Sequence, residues 1–161
     1  MGRLVGGRAG RILLVISASY RCQEERELGF RRVLRAEFPD LDLDERVHSW
    51  DDPEHAYRSV RRYIEEHGSP VGIYNTAAGN QGIARALRED GLRGRVVVIA
   101  HELNPSSRML LESGELDVVI GHDLDHEVAL SIATVTAFLD GHPVLAATRT
   151  RVRVHTKFNA D

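Results

Sequence analysis

Short apolar runs alternate along this chain with longer segments whose apolar positions recur at helical spacing. "RILLVIS" (residues 11–17) is continuous and β-branched, which predicts a buried strand. Residues 22–37 carry Leu28, Phe30, Val33 and Leu34 at helical spacing, and Pro39 ends that helix. "LDLDERVHSW" (41–50) alternates weakly and predicts an outer strand. "DDPEHAYRSVRRYIEEHG" has an Asp cap, Pro53 in its first turn and Gly68 at its end, a well-punctuated helix. "VGIYN" (71–75) predicts a strand and residues 79–90 a helix. "RVVVIA" (95–100) is the clearest buried strand, and "PSSRMLLESG" (105–114) a short helix closed by Gly114. "DVVIG" (117–121) predicts a strand, and residues 125–140 a helix closed by Gly141 and Pro143. "RTRVRVHTKF" (149–158) alternates and predicts a last strand.

Strands alternating with helices predict an α/β fold: a doubly wound, mostly parallel sheet with helices on both faces, in the order 2-1-3-4-5. The 161 residues fit a single α/β ligand-binding lobe spanning the whole chain. In such sheets ligands bind beyond the carboxyl ends of the strands. That rule nominates residues 18–22, 49–51, 75–80, 101–104 and 121–123. Polar side chains gather there: Arg26 one turn into its helix, Asn75, Asn80, His101, Glu102 and His122.

Composition narrows the function classes. A formal net charge of −3 gives no support to a basic nucleic-acid surface, and the basic residues are interspersed with acidic ones. Cys22 is the only cysteine, so neither an internal disulfide nor a thiolate zinc site can form within the chain. A reducing, cytoplasmic setting fits that usage. No apolar run approaches the roughly 20 residues of a membrane span. "MGRLVGGRAGRILLVIS" reads as a strand with its lead-in rather than as a signal peptide.

The small-residue loop in "GIYNTAAGNQGIARAL" (72–87) sits where phosphate loops sit. It lacks the glycine triad of a dinucleotide fingerprint and the Lys and Ser/Thr of a P-loop. Gly82 and the alanines let the helix lie close to the sheet. Asn75 and Asn80 offer both donors and acceptors, which suits a neutral polyhydroxylated ligand better than a phosphate. As the alternative, Asn75 is a strand-end turn residue. In "IAHELNP", His101 and Glu102 are adjacent and cannot both face one site from a regular strand, so no metal site is expected. Cys22 opens a helix, but the carboxylates of "CQEER" would repel an anion, and a buried or half-buried free thiol is expected. Arg26 is either a surface arginine with helical partners or a planar fork reaching a ligand over the strand ends.

"ERELGFRRVLRAEFPDL", "GIYNTAAGNQGIARALRE", "RVVVIAHELNPSSRMLLESGELDVVIGHD" and "VRVHTKFNAD", in that order, resemble the effector-binding core of lactose-repressor-family regulators. That core is itself similar to periplasmic sugar-binding proteins. The resemblance covers roughly residues 4 to 160 and implies one of two α/β lobes with a ligand between them. Residues 1–10 then correspond to the end of a preceding lobe, and the DNA-reading headpiece and most of the first lobe have no counterpart in this sequence. The resemblance implies ligand contacts from Arg26, Asn75 (with Asn80 as rival), Glu102 and His122, the last standing where family members often have Gln. It also implies a sugar-type effector, a homodimer, and contact with DNA only through a headpiece, with no membrane.

The helix at 125–140 is apolar nearly all round, which calls for burial on several sides. The resemblance implies that this segment crosses to the first lobe. It is expected either to fold back on this lobe or to meet another chain. The leading reading is therefore a binding module without catalytic residues, cofactor or metal: the effector-binding and dimerisation part of a bacterial transcription regulator, switched by lobe closure. Tyr20 or Trp50 would stack on the sugar. The alternatives are a fragment of a transport sugar-binding protein, or a small α/β enzyme on a sugar or nucleotide using His101, Glu102 or His122 as acid or base. A protein-interaction domain overlaps the first reading.

Overall fold

The first strand, β1 (Gly10–Ile16), lies in the interior of the sheet, and Ile12 through Val15 are fully buried. It pairs in parallel with β2 (Leu41–His48) on one side and β3 (Gly72–Asn75) on the other. β4 (Val97–His101) and β5 (Val118–His122) continue the parallel ladder, and β6 (Val152–His155) closes it antiparallel to β5. The full order is β2-β1-β3-β4-β5-β6, the order the alternating pattern predicts with a sixth strand added at the edge. This computed structural model describes residues 1–18, 20–143 and 151–160, apart from the side chains of residues 45 and 46. The first two residues of the expected last strand, 149 and 150, lie outside the described residues.

Strand side chains alternate between two cores. Leu13, Val15, Ile73 and Val98 face one side, under α2 (Pro53–His67), α3 (Asn80–Glu89) and α4 (Pro105–Glu112). Ile12, Leu14, Tyr74 and Ile99 face the other, with Leu34 of α1 (Arg21–Glu37). Val5 joins this second core, so the segment before β1 packs into this lobe.

The expected apolar face of α1 is rearranged. Leu28 and Val33 are exposed, and the buried positions are Gln23, Glu27 and Leu34. Gln23 accepts the Ser17 N–H at 2.8 Å, and Glu27 pairs with Arg31 at 2.7 Å, so both polar groups are satisfied. Cys22 lies off that face and is exposed, contrary to the expected burial.

Gly82 packs against a neighbour other than the one expected. An added Cβ would fall on the Pro53 carbonyl and lie 2.8 Å from Tyr57 N, so the missing side chain lets α3 press against the backbone of α2 rather than the sheet. The last helix, α5 (Leu124–Leu139), buries no residue. Leu124, Val128, Ile132, Val135, Phe138 and Leu139 are between 57 % and 76 % exposed. Of the two fates expected for this helix, folding back on its own lobe is not the one adopted.

Candidate functional site

Three of the five nominated strand ends converge on one cavity of about 380 Å³, at 51–53, 76–81 and 101–106, facing Gln23 and Arg26 of α1. The corner after β3 is built by Asn75. Its Oδ1 accepts the Ala77 N–H at 3.1 Å, and its Nδ2 donates to Asn80 Oδ1 at 2.7 Å. This local turn suits an Asx side chain at a strand end. Gly79 then takes φ +94°, a left-handed conformation open to glycine, and α3 begins at Asn80. Asn75 is fully buried with both amide atoms engaged, and it does not line the cavity. That corrects its expected ligand contact. Asn80 lines the cavity, and its amide nitrogen has no partner among the described residues.

The corner after β4 depends on a backbone reversal. Glu102 adopts φ +66°. Strict alternation would send His101 and Glu102 to opposite faces. The left-handed step breaks that alternation, and both line the same cavity. The following turn is held by a reciprocal cap on α4: Asn104 Oδ1 accepts the Ser107 N–H at 2.9 Å, and Ser107 Oγ accepts the Asn104 N–H at 2.8 Å. Ser107 Oγ also donates to the Glu102 carbonyl at 2.7 Å. Arg26 reaches across from α1. Its Nη2 meets Glu102 Oε1 at 2.8 Å and its Nη1 donates to the Thr76 carbonyl at 3.1 Å. Arg26 lies in the cavity wall, and the partners it holds there are on other elements rather than on its own helix.

His101 is the most perturbed group in the site. Burial, reinforced by the nearby positive charge of Arg26 and by His122, pushes its pKa down to about 3, so the ring is neutral at physiological pH. Its Nε2 lies 2.9 Å from the Tyr74 hydroxyl, and burial raises the Tyr74 pKa to about 12. The two groups share this hydrogen bond, whose direction follows the tautomer of the ring. The other ring nitrogen, Nδ1, is buried and has no hydrogen-bond partner among the described residues. Phe30 stacks on Tyr74 at 4.3 Å between ring centroids and fixes this pair from behind.

His122 stands outside the lining. Its two ring nitrogens lie 3.5 Å from Glu102 Oε1 and 3.4 Å from Glu127 Oε1, so it touches the site through Glu102. The expected aromatic platforms are elsewhere. Tyr20 caps α1 and is more than half exposed. Trp50 stacks on His48, 5.1 Å between centroids, and lines a separate cavity of about 320 Å³ against α2. The reason is local: Trp50 and Asp51 both take positive φ, 53° and 57°, and this turn leaves Asp51 on the main cavity and Trp50 off it. Asp51 Oδ1 accepts the Ala78 N–H at 2.9 Å and ties the β2 corner to the β3 corner. Gln23, Asp51, Thr76, Asn104 and Ser106 are lining residues that sequence reasoning did not single out. The strand-end rule covered three of these positions, and no pattern distinguished them from their neighbours. Among the described residues no group of His, Cys, Asp or Glu is arranged to hold a metal.

The wall thus offers an amide, a hydroxyl-bearing Thr and Ser, a neutral imidazole and carboxylate oxygens to a small polar molecule. A family model described as periplasmic binding protein domain matches residues 1–143. The chain belongs to the periplasmic binding protein domain family. Solved structures carry the same fold. A sugar-binding protein of a sugar ABC transporter from Bacillus halodurans aligns at TM-score 0.91 and 20% identity, over 99% of this chain and 58% of that one. GanP, a glucose-galactose binding protein from Geobacillus stearothermophilus, aligns at TM-score 0.89 and 16% identity, over 98% and 56%. AraP, an arabinose binding protein from the same organism, aligns at 0.88 and 18%, over 99% and 58%. The chain therefore spans just over half the length of these relatives. No curated protein sequence gives a significant match. As a periplasmic binding protein domain, the lobe carries its cavity at the strand ends where such folds place ligands.

Proposed function

We propose that this chain is one lobe of a two-lobed sugar-binding protein, and that it binds sugar without chemical turnover. The observation that carries this reading is the strand-end cavity, where Asn80, Thr76, His101, Glu102 and Asp51 set mixed donors and acceptors around a volume of about 380 Å³. Polyhydroxylated ligands need such pairing, since each hydroxyl both gives and takes a hydrogen bond. Three solved relatives are named for binding sugars, a fourth is a solute binding protein with bound D-allose, and two of the four are named as ABC-transporter proteins. Their names favour the transport-type alternative over the regulator reading of the sequence.

The second lobe in this reading covers α5. A helix with no buried residue and six large apolar side chains in water is stable only when something packs on it. The test is a calorimetric or NMR titration of the chain with glucose, galactose, arabinose and allose, with Arg26→Ala as control. Binding should be weak, on the order of millimolar, because half of the contacts are supplied. Micromolar binding by this chain alone would count against the two-lobed account. Chemical conversion of any sugar would overturn the binding-only reading. Light scattering on the same sample should show association through α5 that Ile132→Asp reduces. A monodisperse monomer would remove the argument for a covering partner.

A further inference from the structure

The charges on the cavity wall decide which sugars it accepts, an inference that rests on the sugar-site reading above. Arg26, Asp51 and Glu102 line the cavity. One positive against two negatives leaves a formal charge of −1, with His101 neutral under burial. The guanidinium is not free to meet an anion, because it already holds Glu102 at 2.8 Å and the Thr76 carbonyl at 3.1 Å. Asp51 is differently placed. Its Oδ1 takes the Ala78 N–H, and no described residue bonds Oδ2. Its backbone, at φ 57°, is in a region that Asp and Asn enter more readily than other L-residues. An independent sign that this wall meets a ligand is His101, only 6% exposed, whose Nδ1 is buried without a partner among the described residues.

We propose that Asp51 is the specificity-determining residue of this cavity: its unengaged carboxylate oxygen accepts the hydroxyl or ammonium protons of neutral and amino sugars, and repels sugar phosphates and sugar acids. A carboxylate accepts hydrogen bonds but cannot donate them when ionised, and an anion brought beside it meets both repulsion and an unmatched acceptor. The site then discriminates by charge before it discriminates by stereochemistry.

The experiment is an NMR titration of the full chain with glucose, glucose 6-phosphate, gluconate and glucosamine, and with the galactose counterparts. It is repeated on Asp51→Asn and Asp52→Asn. Asn at 51 keeps an acceptor for the Ala78 N–H and suits the left-handed backbone. Asp52 caps α2 through the His55 N–H at 2.7 Å and does not line the cavity, so Asp52→Asn is the control for a general change of charge in this segment. In the wild type the phosphate should bind at least about tenfold more weakly than its neutral parent. Asp51→Asn should close that ratio by about tenfold and weaken glucosamine relative to glucose, while Asp52→Asn leaves both ratios in place. Equal binding of sugar and sugar phosphate by the wild type would overturn the proposal while leaving the sugar site standing. So would a ratio that moves alike in the two variants. Absence of shifts with every neutral sugar would remove the sugar-site reading and this inference with it.

Discussion

Arg26 and Glu102, 76 positions apart in the chain, are joined by a 2.8 Å ion pair across the mouth of the strand-end cavity. The pair is half in solvent, with Glu102 at 50% side-chain exposure, so it adds little to stability. Its effect is positional: it holds a carboxylate in place on the wall. Arg26→Ala should lower sugar affinity about tenfold, and Glu102→Gln by a similar factor. The double variant should lose little more than either single one, because each breaks the same contact. Additive losses in calorimetric titrations of the three proteins would show that the two residues act separately.

Gly82→Ala should destabilise the fold by about 3 kcal/mol. The gain of about 1 kcal/mol in helix propensity is too small to offset forcing α3 away from the Pro53 carbonyl. Thermal denaturation followed by circular dichroism reads this directly. An unchanged midpoint would mean that α2 and α3 do not meet as closely as described.

Stability should fall as the medium is acidified below about pH 6.5, with His101 as a principal cause. Its folded pKa, about 3, lies below the ordinary value of 6.5. Between those values the unfolded chain binds a proton that the folded chain refuses, so stability is full above 6.5 and declines toward pH 3. The slope contributed by one such group is about 1.4 kcal/mol per pH unit. Denaturant melts of wild type and His101→Gln across this range should differ in slope, the variant being flatter. Parallel curves would assign the acid sensitivity elsewhere.

Ser107→Ala should cost about 1 to 2 kcal/mol through the lost cap on α4. It also removes the hydroxyl that holds the Glu102 carbonyl at 2.7 Å. Weaker sugar binding should therefore accompany the lower denaturation midpoint. Loss of stability with unaltered binding would separate the cap from the site.

The parallel order of the sheet was legible because strand β1 is continuous and apolar while β2 is mixed, which separates an interior strand from an edge. Helix α2 was legible through Asp52 with Pro53, residues whose chemistry acts locally, and α4 through Gly114 at its close, whereas its Asn104 cap was not singled out. The cavity was legible to the level of strand ends. Asn80, His101, Glu102 and Arg26, gathered near the nominated strand ends, are on its wall. Asn75 is not, because a short amide side chain at a strand end is equally suited to closing its own turn, and here both atoms are used that way.

The remaining differences arise from backbone dihedrals that composition does not advertise. Periodicity assumes regular backbone, and it failed at Glu102, where a single positive φ brings two neighbouring side chains to one wall. It failed again at Trp50 and Asp51, where two left-handed residues in succession exchange the expected aromatic for a carboxylate. In α1 the buried face runs through Gln23 and Glu27, because each finds a partner that repays its burial, while Leu28 is left in water. Hydrophobic spacing sees none of these pairings.

The tight turn at Trp50 and Asp51 has a practical side. Trp50 is the only tryptophan in the chain, seated against the His48 ring on one flank of the turn whose other flank is the ligand wall. Light absorbed by that indole is emitted from a single known position, next in the chain to the Asp51 carboxylate on the cavity wall. The lobe carries a built-in fluorescent probe, and its colour and intensity follow the posture of this turn without any label being added.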